Sequence, residues 1–192
     1  MWAKVESDSV TKIYTRPTAI TVGDVNYPQN IMQVWTTSEL EAIGIYEITV
    51  NSTNLKDIDY YTNTDISYTY NSGAVTGAYG TATAKDIDDY SKTIDGVTTQ
   101  YEGLKTKCKN TVNNLANSLL QTYDWYTLRA ADGGTAVPSA VTTYKAAVRT
   151  KANSMCTQID GAADVDALAA LYVYNSDDPP VRPLGEFPAE PS

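Results

Sequence analysis

Two apolar stripes at helical spacing, joined through a glycine pair, constrain this chain more than any other feature. Leu104, Cys108, Val112, Leu115, Leu119 and Tyr126 recur at steps of three, four or seven residues, and Val141, Tyr144, Val148, Ala152, Met155 and Ile159 form a second such stripe. Between them Trp125 and Tyr126 close one helix, Gly133 and Gly134 permit a reversal, and Pro138 occupies a favoured first helical position. The loop Arg129–Val137 is short enough to force the arms antiparallel. The spacing predicts a hairpin over 103–128 and 138–160, followed by a short third helix over 164–173 capped by Asp164.

Residues 1–80 read as a β-rich module. Trp2–Val5, Val10–Tyr14 and Ala19–Val22 are short runs of β-formers. Tyr27-Pro28-Gln29-Asn30 makes a turn, after which Ile31–Trp35 is expected to be extended. Ser38 and Glu41 match a capping box, Gly44 ends that single turn, and Ile45–Val50 resumes a strand. Ile66, Tyr68 and Tyr70 alternate with polar residues before Asn71-Ser72-Gly73, so 65–79 is expected to be a β-hairpin. Residues 80–100 read as a transition, with Ala82–Tyr90 as a short helix carrying Asp86, Asp88 and Asp89. The fold class is therefore α+β: an antiparallel β module (1–80), a helical module (81–174) and an extended tail (175–192).

Five of the 8 prolines fall in residues 179–192, so the tail can be neither helix nor central strand. Leu184 and Phe187 are its only sizeable apolar anchors, and it can dock on its own domain or on a neighbouring subunit. Folding the helices about Gly133 brings Cys108 level with Cys156. A pair of reduced, partly buried thiols is preferred to a disulfide.

The composition argues against catalysis. Histidine is absent, which removes the commonest general base and zinc ligand. Asp86, Asp88 and Asp89 lack the spacing of a calcium loop, and the glycines match no phosphate-binding pattern. No catalytic, cofactor-binding or metal residues are expected, and no cofactor. A net charge of −9, spread along the chain, repels phosphate backbones and speaks against nucleic-acid binding. The apolar runs are too short to span a bilayer, and the Met-Trp-Ala-Lys start has no signal-peptide core. Against a single Phe the chain has 15 Tyr, a residue suited to half-buried surfaces and interfaces.

Asp124-Trp-Tyr, Arg129, Gly134, Val137-Pro138, Val141, Tyr144 and Val148-Arg149, followed by an Ala-rich helix, resemble the C-terminal helical module of tail-fibre-assembly-like and virion proteins of tailed phages, including marine phages. Trp2-Ala-Lys-Val-Glu, Tyr27-Pro28-Gln-Asn30, Trp35, Leu40 and Gly44-Ile45 resemble their opening β module, and Arg182-Pro-Leu-Gly-Glu-Phe-Pro188 their ending. Lys145 stands where many relatives carry Arg. The resemblance implies a non-enzymatic virion component at the tail, baseplate or fibre attachment, partnered by other phage structural proteins in a homo- or hetero-oligomer. It also allows an assembly chaperone absent from the particle, or a host-surface-binding module. Candidate contact residues are Tyr60, Tyr61, Tyr68 and Tyr70 in the β half, and Arg182, Leu184 and Phe187 in the tail.

Overall fold

The computed structural model describes residues 1–191 and divides into two units, one spanning Met1–Thr83 and the other beginning at Ala84. The first contains β1 (Trp2–Glu6), β2 (Ser9–Tyr14), β3 (Ile20–Val22), β4 (Val25–Tyr27), α1 (Ile31–Val34), α2 (Thr37–Glu41), β5 (Ile45–Asn51), β6 (Tyr61–Thr62), β7 (Ile66–Asn71) and β8 (Ala74–Tyr79). After β9 (Thr83–Ala84), at the boundary, come β10 (Tyr90–Ile94), β11 (Val97–Tyr101), α3 (Leu104–Gln121), α4 (Asp124–Ala131), α5 (Ser139–Asp160) and α6 (Val165–Ala170). The chain is α+β, with strands dominating the first unit and helices the second.

The main sheet of the first unit runs β2-β1-β5-β8-β7. It is mixed rather than antiparallel throughout, because β5 pairs with β8 in parallel, Ile48 opposite Val75. Parallel partners need a long crossover. Residues 52–73 supply it, and β7, within that crossover, pairs antiparallel on the far side of β8. One apolar cluster centres on Ala3, Ile48 and Val75, with Tyr46, Tyr68 and Tyr70 packed against it. A second gathers Tyr14, Ile20, Ile31, Met32, Leu40 and Ile45.

Two local expectations in this unit are corrected. Ile31–Val34 is a helical turn, not an extended segment, and it puts Ile31 and Met32 into the second cluster. The capping box lies two residues earlier than read. The Thr36 side chain accepts from the Glu39 N–H, and the Glu39 carboxylate accepts the Thr36 N–H at 2.7 Å. The chain leaves the turn at Gly44, whose φ is +75°.

In the second unit the residues read as a transition form a hairpin. Ala82–Tyr90 contains no helix, and β10 pairs with β11 from Tyr90↔Tyr101 to Ile94↔Val97. Asp95 and Gly96 connect them, both with positive φ (51° and 79°), the mirror-image turn that matches strand twist and favours Asp-Gly. The helix expected over 103–128 is two helices, broken at Thr122–Tyr123. Pro138 stands at the N-cap position of α5, one residue before the first helical position expected for it and without a side-chain cap, and all six residues of the apolar stripe are buried. On α3 the inward residues are Leu104, Val112 and Ala116, while Leu115 is 49% exposed. Lys109 meets Asp160 at 2.7 Å and Cys156 Sγ lies 3.8 Å from Asn113 Oδ1, so α3 and α5 run antiparallel. The third helix is shorter than read, and the Asp164 carboxylate caps it by accepting the Ala167 N–H.

Candidate functional site

The tyrosines singled out in the β half are largely used inside their own unit. Tyr68 and Tyr70 are half-buried against the Ala3–Ile48–Val75 cluster. Tyr70 lies edge-on to Tyr46 with ring centroids 4.9 Å apart, and the two hydroxyls are 3.3 Å apart. That hydrogen bond, followed by burial, pushes the Tyr46 phenol up to about 12. Tyr60 and Tyr61 are half-buried midway along the crossover, and the Lys56 ammonium sits 5.4 Å from the Tyr61 ring centroid.

The tail is fastened to its own unit in the stretch up to Glu186. Leu184 is 2% exposed, its N–H donates to the Leu171 carbonyl at 3.0 Å, and its carbonyl accepts from Lys151 Nζ at 2.9 Å. The Arg182 guanidinium lies near the rings of Tyr172 and Tyr174 and pairs with Glu186 at 2.7 Å. Tyr174 Oη donates to Glu186 Oε1 at 2.6 Å, and this hydrogen bond is the main reason its phenol titrates above the usual range. Of the tail candidates, Leu184 is therefore filled by internal packing, Arg182 is held in an ion pair, and Phe187 is half-buried. The loop 174–183 borders a shallow, open apolar cleft of about 560 Å³ lined by Val173, Tyr174, Val181 and Pro183.

Among the hairpin residues, Trp125 does not close α3 against the core. It is exposed on α4, a helix with no buried residue, where the Arg129 guanidinium lies 4.8 Å from its ring centroid. Tyr126 lies beside it, the ring centroids 3.8 Å apart and the planes tilted by 31°, and is half-buried. The Gly134 N–H donates to the Arg129 carbonyl, and a Cβ at Gly134 would lie 2.8 Å from that oxygen, so the reversal requires glycine there. Lys145, the single buried charge among the described residues, reaches Asp124 Oδ1 at 2.7 Å.

The surface most open to a partner was not singled out in the sequence. Every residue of β10 and β11 is exposed. The register puts Tyr90 with Tyr101, Lys92 with Thr99 and Ile94 with Val97 on one face of the ribbon. The two tyrosine rings stack at 5.2 Å, and Val97 and Ile94 are 67% and 53% exposed. The other face carries Ser91, Thr93, Thr98 and Gln100. Asp95-Gly96 between runs of β-formers was the available signal.

Cys108 and Cys156 are free thiols, and burial, reinforced by Asp160, raises the Cys156 thiol above its ordinary range. Among the described residues no cluster of acidic and cysteine side chains could hold a metal ion, and no helix is long and apolar enough to cross a membrane. No protein family, curated protein or solved structure matches the chain.

Proposed function

We propose that this chain is a non-enzymatic structural component of a tailed-phage virion, set in the tail, baseplate or fibre-attachment region and acting through protein–protein packing. The observation that carries the reading is the β10–β11 ribbon. A two-stranded ribbon is marginal in water by itself, and this one holds an apolar face of Tyr90, Tyr101, Ile94 and Val97 open to solvent. Exposed apolar faces of this kind are found where another protein packs. The absence of histidine and the charge of −9 fit a role without catalysis or nucleic-acid contact. In this reading α3 with α4 and α5 are the two arms of an antiparallel hairpin that serves as scaffold, and the extended proline-rich tail adds a second contact.

Mass spectrometry of purified particles tests the proposal. A virion component is recovered at fixed stoichiometry, and replacing Ile94 and Val97 together by Glu lowers its incorporation while circular dichroism stays unchanged. Absence of the chain from intact particles overturns it. If fibre chains also become insoluble when the gene is deleted, the chain is an assembly chaperone instead.

A further inference from the structure

The two edges of the β10–β11 ribbon are not alike. Asp95 and Gly96 form a two-residue turn, so Ile94 and Val97 exchange backbone hydrogen bonds, as do Lys92 with Thr99 and Tyr90 with Tyr101. The residues between them point their N–H and C=O groups outward, Ser91 and Thr93 on β10, Thr98 and Gln100 on β11. Among the described residues, no backbone group of 90–101 bonds outside the ribbon. Both edges are open, since every residue of the two strands is exposed. β10 carries Lys92 at its centre, the kind of charge that keeps an edge strand from pairing with its own copy. β11, Val97-Thr98-Thr99-Gln100-Tyr101, has no charge, no proline and no bulge in its register.

That strand is self-complementary. Laid antiparallel on a second β11 about Thr99, it sets Val97 against Tyr101 at each end and Thr99 against Thr99 in the middle. These are close pairs, with Cα atoms about 4.5 Å apart, and aromatic–β-branched and Thr–Thr neighbours are favourable ones. Thr98 and Gln100, whose backbone groups face outward, fall opposite each other and supply the ladder hydrogen bonds. The same operation on β10 about Lys92 brings two ammonium groups face to face, which is destabilising.

We propose that two copies of the chain associate through their β11 edges, forming one sheet in the order β10-β11-β11-β10. The product has four strands, whereas two alone are marginal in water. The pairing is twofold, so the same residues meet from both sides and the assembly closes as a dimer. Each chain carries −9, and the strand at which they meet is a neutral one. Asp95 of one copy comes near Glu102 of the other at each end, so association strengthens as salt screens them. The apolar face of Tyr90, Ile94, Val97 and Tyr101 stays open and is doubled in extent. This interface does not depend on the virion reading and holds equally for an assembly chaperone.

The purified full-length chain provides the test. Its mass in light scattering should double with rising concentration, and Thr99→Glu should hold it at one chain. Position 99 faces Lys92 within its own ribbon, so Thr99→Glu keeps the hairpin while two carboxylates collide at the twofold centre. Circular dichroism should be unchanged. With Cys108 and Cys156 changed to Ser, Thr99→Cys should oxidise to a disulfide-linked dimer. Lys92→Cys in the same background should stay unlinked, because the two outer strands lie about 14 Å apart. A chain monomeric at every concentration and salt level overturns the proposal. So does a dimer that survives Thr99→Glu, or one that Lys92→Cys links as readily as Thr99→Cys.

Discussion

Lys145 Nζ lies 2.7 Å from Asp124 Oδ1, joining the buried face of α5 to the first residue of α4. The lysine side chain is 10% exposed and the aspartate 55%, so the pair sits at the edge of the core, with the Thr127 hydroxyl 3.4 Å from the ammonium. The break at Thr122–Tyr123 makes this possible, because it turns α4 so that Asp124 meets α5. Asp124→Ala should cost about 1–2 kcal/mol, chiefly by leaving a buried ammonium without its counter-charge. Adding Lys145→Met should restore most of that loss, since the charge that needed a partner is gone. Urea unfolding of the two variants checks both. A double variant less stable than Asp124→Ala would show that the pair contributes more than it demands.

The Tyr46–Tyr70 contact sets an alkaline limit. Tyr46 is held up to about 12 in the folded chain, mainly by its hydrogen bond to Tyr70. Unfolded, it ionises near ~10. Between those values the unfolded state binds fewer protons than the folded one, so stability falls as pH rises from about 10 to 12 and is unaffected by this group below. Tyr123, Tyr144 and Tyr174 are also raised, the first two mainly by burial, and act in the same direction. Tyr70→Phe should bring Tyr46 ionisation down, read as the tyrosinate absorbance difference against the same variant with Tyr46→Phe. An unchanged Tyr46 midpoint would rule out the hydroxyl pair as the cause.

Gly77 lies on β8 beneath the side chains of β7. A Cβ there would meet Ile66 Cδ1 at 2.9 Å and the Tyr68 ring at 3.0 Å, while the backbone φ is ordinary. The requirement is for space rather than for a left-handed conformation. Gly77→Ala should therefore destabilise the first unit by roughly 1–3 kcal/mol through displaced side chains. Combining it with Tyr68→Ala should remove much of that penalty relative to Tyr68→Ala alone, measured by thermal unfolding. Equal penalties in both backgrounds would place the strain at Ile66 instead.

How much of this was legible follows from what each residue senses locally. The stripe Val141–Ile159 was readable because one wide face of α5 is buried along its length, so spacing alone identifies it. α3 buries a narrower face, and there Ala116 rather than Leu115 turns inward, a choice that hydrophobicity alone misorders. The capping box was read two residues late because Ser38–Glu41 repeats the pattern that Thr36–Glu39 fills in the structure. The parallel pairing of β5 with β8 leaves no local mark, since a strand of given composition pairs in either sense. For the candidate contacts, tyrosine-rich alternation at 66–70 was correctly tied to a sheet face, but whether that face is covered depends on Ala3 and Ile48, far away in sequence. The ribbon went unread for the opposite reason: its threonines and Lys92 dilute the apolar pattern of a hairpin that buries neither face.

Leu184 is where the tail's order is decided. It was readable as an anchor from its isolation among prolines, and the structure buries it to 2% with both backbone groups engaged. Leu184→Ala removes buried apolar volume and should cost about 2–5 kcal/mol if the tail unfolds with the rest of its unit. If the tail instead detaches separately, the cost is confined to the segment and global unfolding barely moves. Limited proteolysis separates these outcomes. Cleavage confined to 175–191, with an unchanged unfolding midpoint, marks a locally detachable strap. A lowered midpoint with no selective cleavage means that the tail is part of the cooperative core as far as its anchor. Because the Lys151 ammonium donates to the Leu184 carbonyl, Lys151→Met should loosen the tail in the same sense but less, since the apolar anchor stays in place.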